Sequence, residues 1–191
     1  MGVDRDATLI EHARALHVAE NLTFAVADVL ADEIEERFDI VNAARVLQWI
    51  DDRETAIRRM AGLTKPGGLV VVLDYIHEEN RLFPAPPPEF ERFYRAFLDW
   101  RAGHGWDNRM GDSLPALLAI SGLTEITSTI EDELTETSIW PHVLETLGPR
   151  MVAEGALTQM ELLSATESLR RYCETAIRSQ TLVLRAVTGV R

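Results

Sequence analysis

Positive charge is scarce in this chain of 191 residues: 19 Lys and Arg stand against 31 Asp and Glu, a formal net charge of −12. A surface that tracks a phosphate backbone needs clustered cations, so nucleic acid is not an expected partner. Cysteine is scarcer still. The single Cys173 excludes an intrachain disulfide and any zinc site built on several thiolates, and within a helical run it reads as a small core residue. Long apolar runs are missing too. Leu69 to Leu73 is about a quarter of the roughly 20 residues that span a membrane, and the opening Met-Gly-Val-Asp-Arg-Asp has no apolar signal core. A soluble, cytoplasmic protein with no membrane partner is expected. Gly2 does not make a myristoylation site, because Asp6 stands where Ser or Thr is needed. Glycine (11) and proline (8) are too few for a collagen-like or low-complexity chain, while 46% hydrophobic and 26% charged residues suit a globular core. No internal repeat or linker interrupts the sequence, so residues 1–191 are read as one domain.

Periodicity supplies the rest. The first third alternates short apolar strands with amphipathic helices, the pattern of a parallel sheet covered by helices. Gly2-Val3-Asp4 reads as the end of a strand, Asp6 to Ala19 as a helix with Leu9, Ala13 and Leu16 on one face, and Leu22 to Val26 and Phe38 to Ala44 as strands. Asp51 and Glu54 stand in capping-box spacing before a helix running to about Gly62. Lys65-Pro66-Gly67-Gly68 predicts a type II turn, and Leu69 to Leu73 a strand buried on both faces. Pro84 to Pro88 is extended and leads into a helix with Phe90, Phe93, Tyr94, Phe97 and Trp100 at helical spacing, either core or one wall of an apolar pocket. Leu114 to Ser121 predicts a helix closed by Gly122, and Thr124 to Glu131 a half-exposed strand. Ile139 to Glu154 and Thr158 to Ile177 read as a helical pair hinged at Gly155, with Thr158 and Glu161 as a second capping box, and Thr181 to Val187 as the last strand. The fold class is α/β, a doubly wound sheet with a helical insertion (139–178) before its last strand.

In an open α/β sheet, ligands sit beyond the carboxyl ends of the strands, near the switch in strand order. Asp4, Asp28, the Ala43-Ala44-Arg45 turn and Asp74-Tyr75 follow successive strands and should share one edge. A carboxylate closing a strand suits a ribose, because it offers two acceptors to two hydroxyls; helix capping explains Asp4 equally well. The order and spacing of these pieces resemble the class I S-adenosylmethionine-dependent methyltransferases, a Rossmann-like family. Gly2-Val3-Asp4-Arg5 is similar to the acidic end of that family's second strand, Ala27-Asp28-Val29-Leu30 to the segment after the third, Phe38-Asp39-Ile40-Val41 to the fourth, and Lys65 to Gly68 to the turn before the fifth. Ala44-Arg45-Val46-Leu47-Gln48-Trp49, Leu73-Asp74-Tyr75-Ile76-His77 and Trp106-Asp107-Asn108 resemble one bacterial small-molecule subgroup. The resemblance implies S-adenosylmethionine as cofactor and S-adenosylhomocysteine as product. It implies ribose binding by Asp4 beside Arg5, adenine binding by Asp28 and Val29, and the Ala43, Ala44 and Arg45 turn beside the methionine portion.

The family begins with a further strand, a glycine-rich loop and a helix, a unit of roughly 30 residues. None of these precedes Met1, and Lys65 to Gly68 comes before a strand instead of after one. The expected fold is therefore N-terminally truncated, with apolar strand edges that self-association into a homo-oligomer such as a homodimer would cover. Transfer to an oxygen nucleophile calls for a general base, for which His77 and Tyr75 are the candidates, with His104 behind them. Trp49, Asp74, Trp106, Asp107 and Asn108 are candidates for the site of a small-molecule methyl acceptor; core packing explains Trp49, and a helix-capping turn explains Asp107 and Asn108. Arg45 suits a carboxylate of cofactor or substrate, or a surface contact. No histidine has a partner at metal-ligand spacing, so no metal is expected. Two other functions fit the same residues: a non-catalytic methyltransferase-like interaction module, and a nucleotide-binding oxidoreductase.

Overall fold

The structure, a computed structural model, describes residues 1–135, 139–175 and 179–191, so part of the expected insertion, 176–178, lies outside the described residues. The chain runs through β1 (Gly2–Asp4), α1 (Ala7–Leu16), β2 (Phe24–Val26), β3 (Phe38–Ala44), α2 (Arg53–Leu63) and β4 (Thr64–Tyr75). It continues with β5 (Arg81–Phe83), α3 (Pro88–Gly103), α4 (Met110–Ile120), β6 (Thr124–Ile130) and β7 (Glu133–Thr135). The helical pair α5 (Trp140–Ala153) and α6 (Gln159–Thr175) precedes β8 (Ser179–Leu182) and β9 (Leu184–Val190).

Local chemistry sets most boundaries. The Asp6 carboxylate accepts from the N–H groups of Thr8 and Leu9 and starts α1. α2 is capped by Asp52, which accepts from Thr55 N at 3.0 Å, one residue beyond the expected Asp51. The Thr158–Glu161 box forms: Glu161 accepts from Thr158 N at 2.7 Å and donates its own N–H to Thr158 Oγ1 at 3.2 Å. Gly122 (φ 86°) follows α4 in the left-handed conformation. The expected strand Thr181 to Val187 divides at Val183 into β8 and β9, which join different sheets.

Those sheets are β1-β2, β3-β4-β9-β6 and β5-β8-β7. β1 and β2 pair in parallel, as do β3 and β4, but β9 is antiparallel to both β4 and β6, so the larger sheet is mixed. Among the described residues β1 and β2 pair only with each other, and one edge of β3 has no strand beside it. Val3 (41% exposed), Val26 (51%) and Ile40 (56%) are correspondingly open. α1 follows from the same narrow support. It buries Ile10 and leaves Leu9 (56%) and Leu16 (63%) exposed, in place of the Leu9, Ala13 and Leu16 face, because a pair of three-residue strands gives it little to pack on.

Lys65 to Gly68 bows out of β4 as a bulge between the pairs Phe38↔Thr64 and Ile40↔Leu69, with Gly67 at φ 77°. A Cβ on Gly68 would stand 2.6 Å from the Asp39 carbonyl oxygen, which is backbone and cannot swing away. Gly68→Ala should therefore cost about 1–3 kcal/mol of stability, read as a lower urea midpoint. Gly62→Ala, in a helix with nothing within 4 Å of its Cβ, is the control and should be neutral or stabilising. Equal midpoints for the two variants would contradict the close approach.

Among the described residues two large cores hold the elements, beside a small cluster of Tyr75, Leu182 and Leu184. The first packs α2 and α4 against one face of β4 and β9 through Ile57, Met60, Val70, Val72, Leu114, Leu118 and Val187. The opposite face of β4 is less covered than a strand buried on both faces requires: Leu69 is 37% exposed, and Val71 and Leu73 are half-buried. The second core joins α3, α5 and α6 through Phe90, Phe93, Phe97, Trp100, Trp140, Leu144, Leu169 and Tyr172. The aromatic face of α3 is thus core, and Cys173 packs half-buried against it.

Candidate functional site

The first group of candidates lies at the ends of β1 and β2. Asp4 Oδ1 accepts from Asp6 N at 2.8 Å, Asp28 Oδ1 accepts from Leu30 N at 2.8 Å, and Ala27 N donates to Asp4 O at 3.0 Å, so the two strand ends are joined. Each carboxylate spends Oδ1 on a local turn, and Oδ2 of each has no hydrogen bond among the described residues. Arg5 is exposed beside Asp4, and Val29 is half-buried against the first core. These groups fit the nucleoside part of S-adenosylmethionine: acceptors at neighbouring strand ends with an apolar residue alongside.

The second group gathers where β3 and β4 end. Arg45 follows β3 at φ 62°, a left-handed conformation uncommon for a side chain of this size. Its guanidinium pairs with Glu133 and lies 5.3 Å over the Tyr75 ring. The bend carries the chain into a short 3-10 turn, Leu47–Trp49, that buries Gln48. Asp74, next to last in β4, is completely buried; Oδ2 accepts from Gln48 N and Oδ1 from Tyr75 N, both at 3.0 Å. Burial pushes its carboxyl up to about 6, against these donors and the attraction of Arg101.

Arg101, from α3, is the centre of this group and is wholly buried. Nε donates to Asn108 Oδ1 at 2.8 Å and Nη2 to Gln48 O at 3.3 Å, and the guanidinium stacks 4.3 Å from the Trp49 ring. Asn108 also donates from Nδ2 to Leu98 O and accepts at its carbonyl from His77 N, tying α3, the following loop and the segment after β4 together.

His77 takes its state from this network. Gln48 Nε2 donates to Arg45 O at 3.3 Å, which turns Oε1 toward His77 at 2.5 Å and leaves the His77 proton on Nε2. Nδ1 faces Asn80 Nδ2 at 3.4 Å, and the ring stacks on Tyr75 with centroids 4.8 Å apart. Burial, with Arg101 adding to it, lowers the imidazole to about 3. Both nitrogens are turned to protein partners, so His77 is not arranged as a general base. Burial also raises the Tyr75 phenol, which stays protonated at neutral pH. Asp74, with both oxygens on backbone donors, shapes the turn from inside instead of facing a ligand. Asp107 accepts from Arg109 N at 2.7 Å and Ser113 Oγ at 2.6 Å, a capping arrangement at the start of α4. Trp49 and Trp106 meet edge to face at 5.1 Å. His104 stacks on Trp106 and bonds Glu154 at 2.7 Å.

Among the described residues no hydrogen bond joins the Asp4–Asp28 group to the Arg45–Asp74–Arg101 group. Nor do these residues include three metal-binding side chains grouped as ligands, or a helix long and apolar enough to cross a membrane. Gln48, Asn80 and Arg101 were not legible as site residues by chemistry-bearing motif. Arg101 did carry a signal: it falls on the Phe90, Phe93, Phe97 stripe at i+4 from Phe97, where a charge cannot face water.

Residues 1–72 match a family described as "Methyltransferase domain". A trans-aconitate 2-methyltransferase of Methylobacterium radiotolerans is 38% identical over 72 residues, covering 38% of this chain and 27% of the relative. One from Deinococcus radiodurans is 29% identical over 108 residues, covering 55% and 41%. The chain thus spans less than half the length of these curated relatives. Among solved structures, Haemonchus contortus phosphoethanolamine N-methyltransferase 2 in complex with S-adenosyl-L-methionine aligns with a TM-score of 0.53 at 19% identity, over 100% of this chain and 42% of that one. The YcgJ protein from Bacillus subtilis aligns at 0.58 and 15%, over 100% and 81%. The oxidoreductase alternative gains nothing from these matches. The first 72 residues of the chain are thus similar in sequence to a methyltransferase domain, and the chain shares its Rossmann-like α/β fold with these solved structures.

Proposed function

We propose that this protein transfers a methyl group from S-adenosylmethionine to a small-molecule acceptor. The observation that carries the reading is the pair Asp4 and Asp28, at the joined ends of two parallel strands within the segment that matches the methyltransferase domain. Asp4 holds the ribose, Asp28 with Val29 the adenine, and the small side chains of Ala43 and Ala44 leave the end of β3 open beside Arg45. When bound, the cofactor supplies a sulfonium methyl open to in-line attack. The protein's part is positioning: Asp74 fixes the turn after β3, and Arg101 and Asn108 fix the loop that carries Trp106 over it. His77 and Tyr75 support this frame through their stacked rings.

Calorimetry with S-adenosylhomocysteine tests the assignment. Asp4→Ala and Asp28→Ala should each weaken binding about 10- to 100-fold, the scale of a lost charged hydrogen bond, with thermal unfolding little changed for the exposed Asp4 and lowered somewhat for the half-buried Asp28, which also loses its bond to Leu30 N. Unchanged affinity in both variants would remove these residues from the cofactor site.

The open edges of β1 and β3 support a further reading, association of two copies through these edges, which also suits the interaction-module alternative. Light scattering on the calorimetry sample should give the mass of a dimer; a monomer at the same concentration contradicts it.

A further inference from the structure

Arg101 is a wholly buried cation with one nitrogen left over. Nε and Nη2 are bonded, but Nη1 is buried with no partner among the described residues. A buried guanidinium N–H without an acceptor is costly, and a charged acceptor relieves it best. The acidic groups around it are already committed: Asp74 to the backbone of Gln48 and Tyr75, Asp107 to Arg109 N and Ser113 Oγ. A second guanidinium stands nearby. Arg53 bonds Gly105 O through Nη2, its buried Nε has no partner among the described residues, and its charge pushes against that of Arg101. Two incompletely paired arginines thus flank the loop that carries Trp106. Arg53 is half-buried at the surface, and on the Arg101 side Trp49 lies 4.3 Å from the guanidinium and is itself 37% exposed.

We propose that Arg101 Nη1, with Arg53 at the rim, binds a carboxylate of the methyl acceptor, and that the Trp49–Trp106 pair is the cover that moves to admit it. The inference rests on the methyltransferase reading and gives its acceptor a chemical class. One unpaired nitrogen on a guanidinium that already feels the charge of Asp74 suits a single negative charge, so a carboxylate is preferred to a phosphate dianion. The indoles that leave the guanidinium face would flank the carbon skeleton of the acid.

The test is a tryptophan-fluorescence titration of the full chain with succinate and propane-1,2,3-tricarboxylate, with succinamide and inorganic phosphate as controls, with and without S-adenosylhomocysteine. Saturable binding of an acid, at least 10-fold tighter than the amide or phosphate, is expected. Arg101→Lys keeps the charge but loses the fork, and should weaken the acid at least 10-fold; Arg53→Lys should weaken it less. Trp49→Phe keeps a stacking ring at a half-exposed position and should retain binding with a smaller fluorescence change. Circular dichroism confirms that each variant is folded. Equal binding of acid and amide, tighter binding of phosphate, no acid binding, or an Arg101→Lys affinity equal to wild type would each overturn the proposal. Calorimetry in the same sample separates the two ideas: cofactor binding without acid binding rejects only this one, whereas acid binding without cofactor binding rejects the methyltransferase reading.

Discussion

Asp74→Ala should lower the unfolding free energy by about 3–5 kcal/mol, the scale for breaking a buried charged partnership. The loss has two parts. The N–H groups of Gln48 and Tyr75 lose their acceptors inside the protein, and Arg101 loses the negative charge that acts on it most strongly. A denaturant melt reads the change as a lower midpoint at constant slope. The same variant has a pH signature. Asp74 ionises near 3.8 when unfolded and about 6 when folded, so the folded state holds the extra proton between those values and the group's contribution falls as pH rises through them. His77 runs the other way: its pKa is 6.5 unfolded and about 3 folded, so its contribution is complete above 6.5 and is lost as pH falls. In the wild type these slopes oppose each other between about pH 4 and 6. Without Asp74 the His77 slope stands alone, and stability should decline from pH 7 to 5 by on the order of 1 kcal/mol more than in the wild type. Parallel pH profiles would show that these two groups do not have the buried states described.

Phe97→Ala is expected to cost about 3–5 kcal/mol. Phe97 is 2% exposed, and its ring contacts those of His77, Tyr94, Trp100 and Trp140 at centroid distances of 5.9, 6.0, 6.3 and 5.6 Å. It also lies 5.5 Å from the Arg101 guanidinium, so it links the helical core to the site. The cavity would be lined by aromatic rings held by other neighbours, which limits collapse. A loss below about 1 kcal/mol, nearer the scale of an exposed site, would mean that the α3 stripe is not the packed core described.

Sequence pattern was most informative where structure is local. β3, α3 and the Thr158–Glu161 box follow from apolar period and short-range hydrogen bonds, and they stand where those signals place them. Asp51 and Asp52 are adjacent and chemically identical, so only the backbone conformation decides that Asp52 caps α2. β5, β7 and β8 are three or four residues long, and Ser179–Leu182 is polar at three of its four positions; their pairing joins segments far apart in the chain, which no local period records. The candidate site divides in the same way. Asp4, Asp28 and Asp74 are legible because acids close strands at the ligand edge of such sheets. The roles of Gln48 and Arg101 are not, because they depend on a helix distant in sequence folding over the strand ends.

The most direct measurement is calorimetric titration of the wild-type chain with S-adenosylhomocysteine. The account predicts saturable one-site binding to the folded protein, abolished or strongly weakened in the Asp4→Ala, Asp28→Ala double variant. No binding by a chain that is folded by circular dichroism would contradict it.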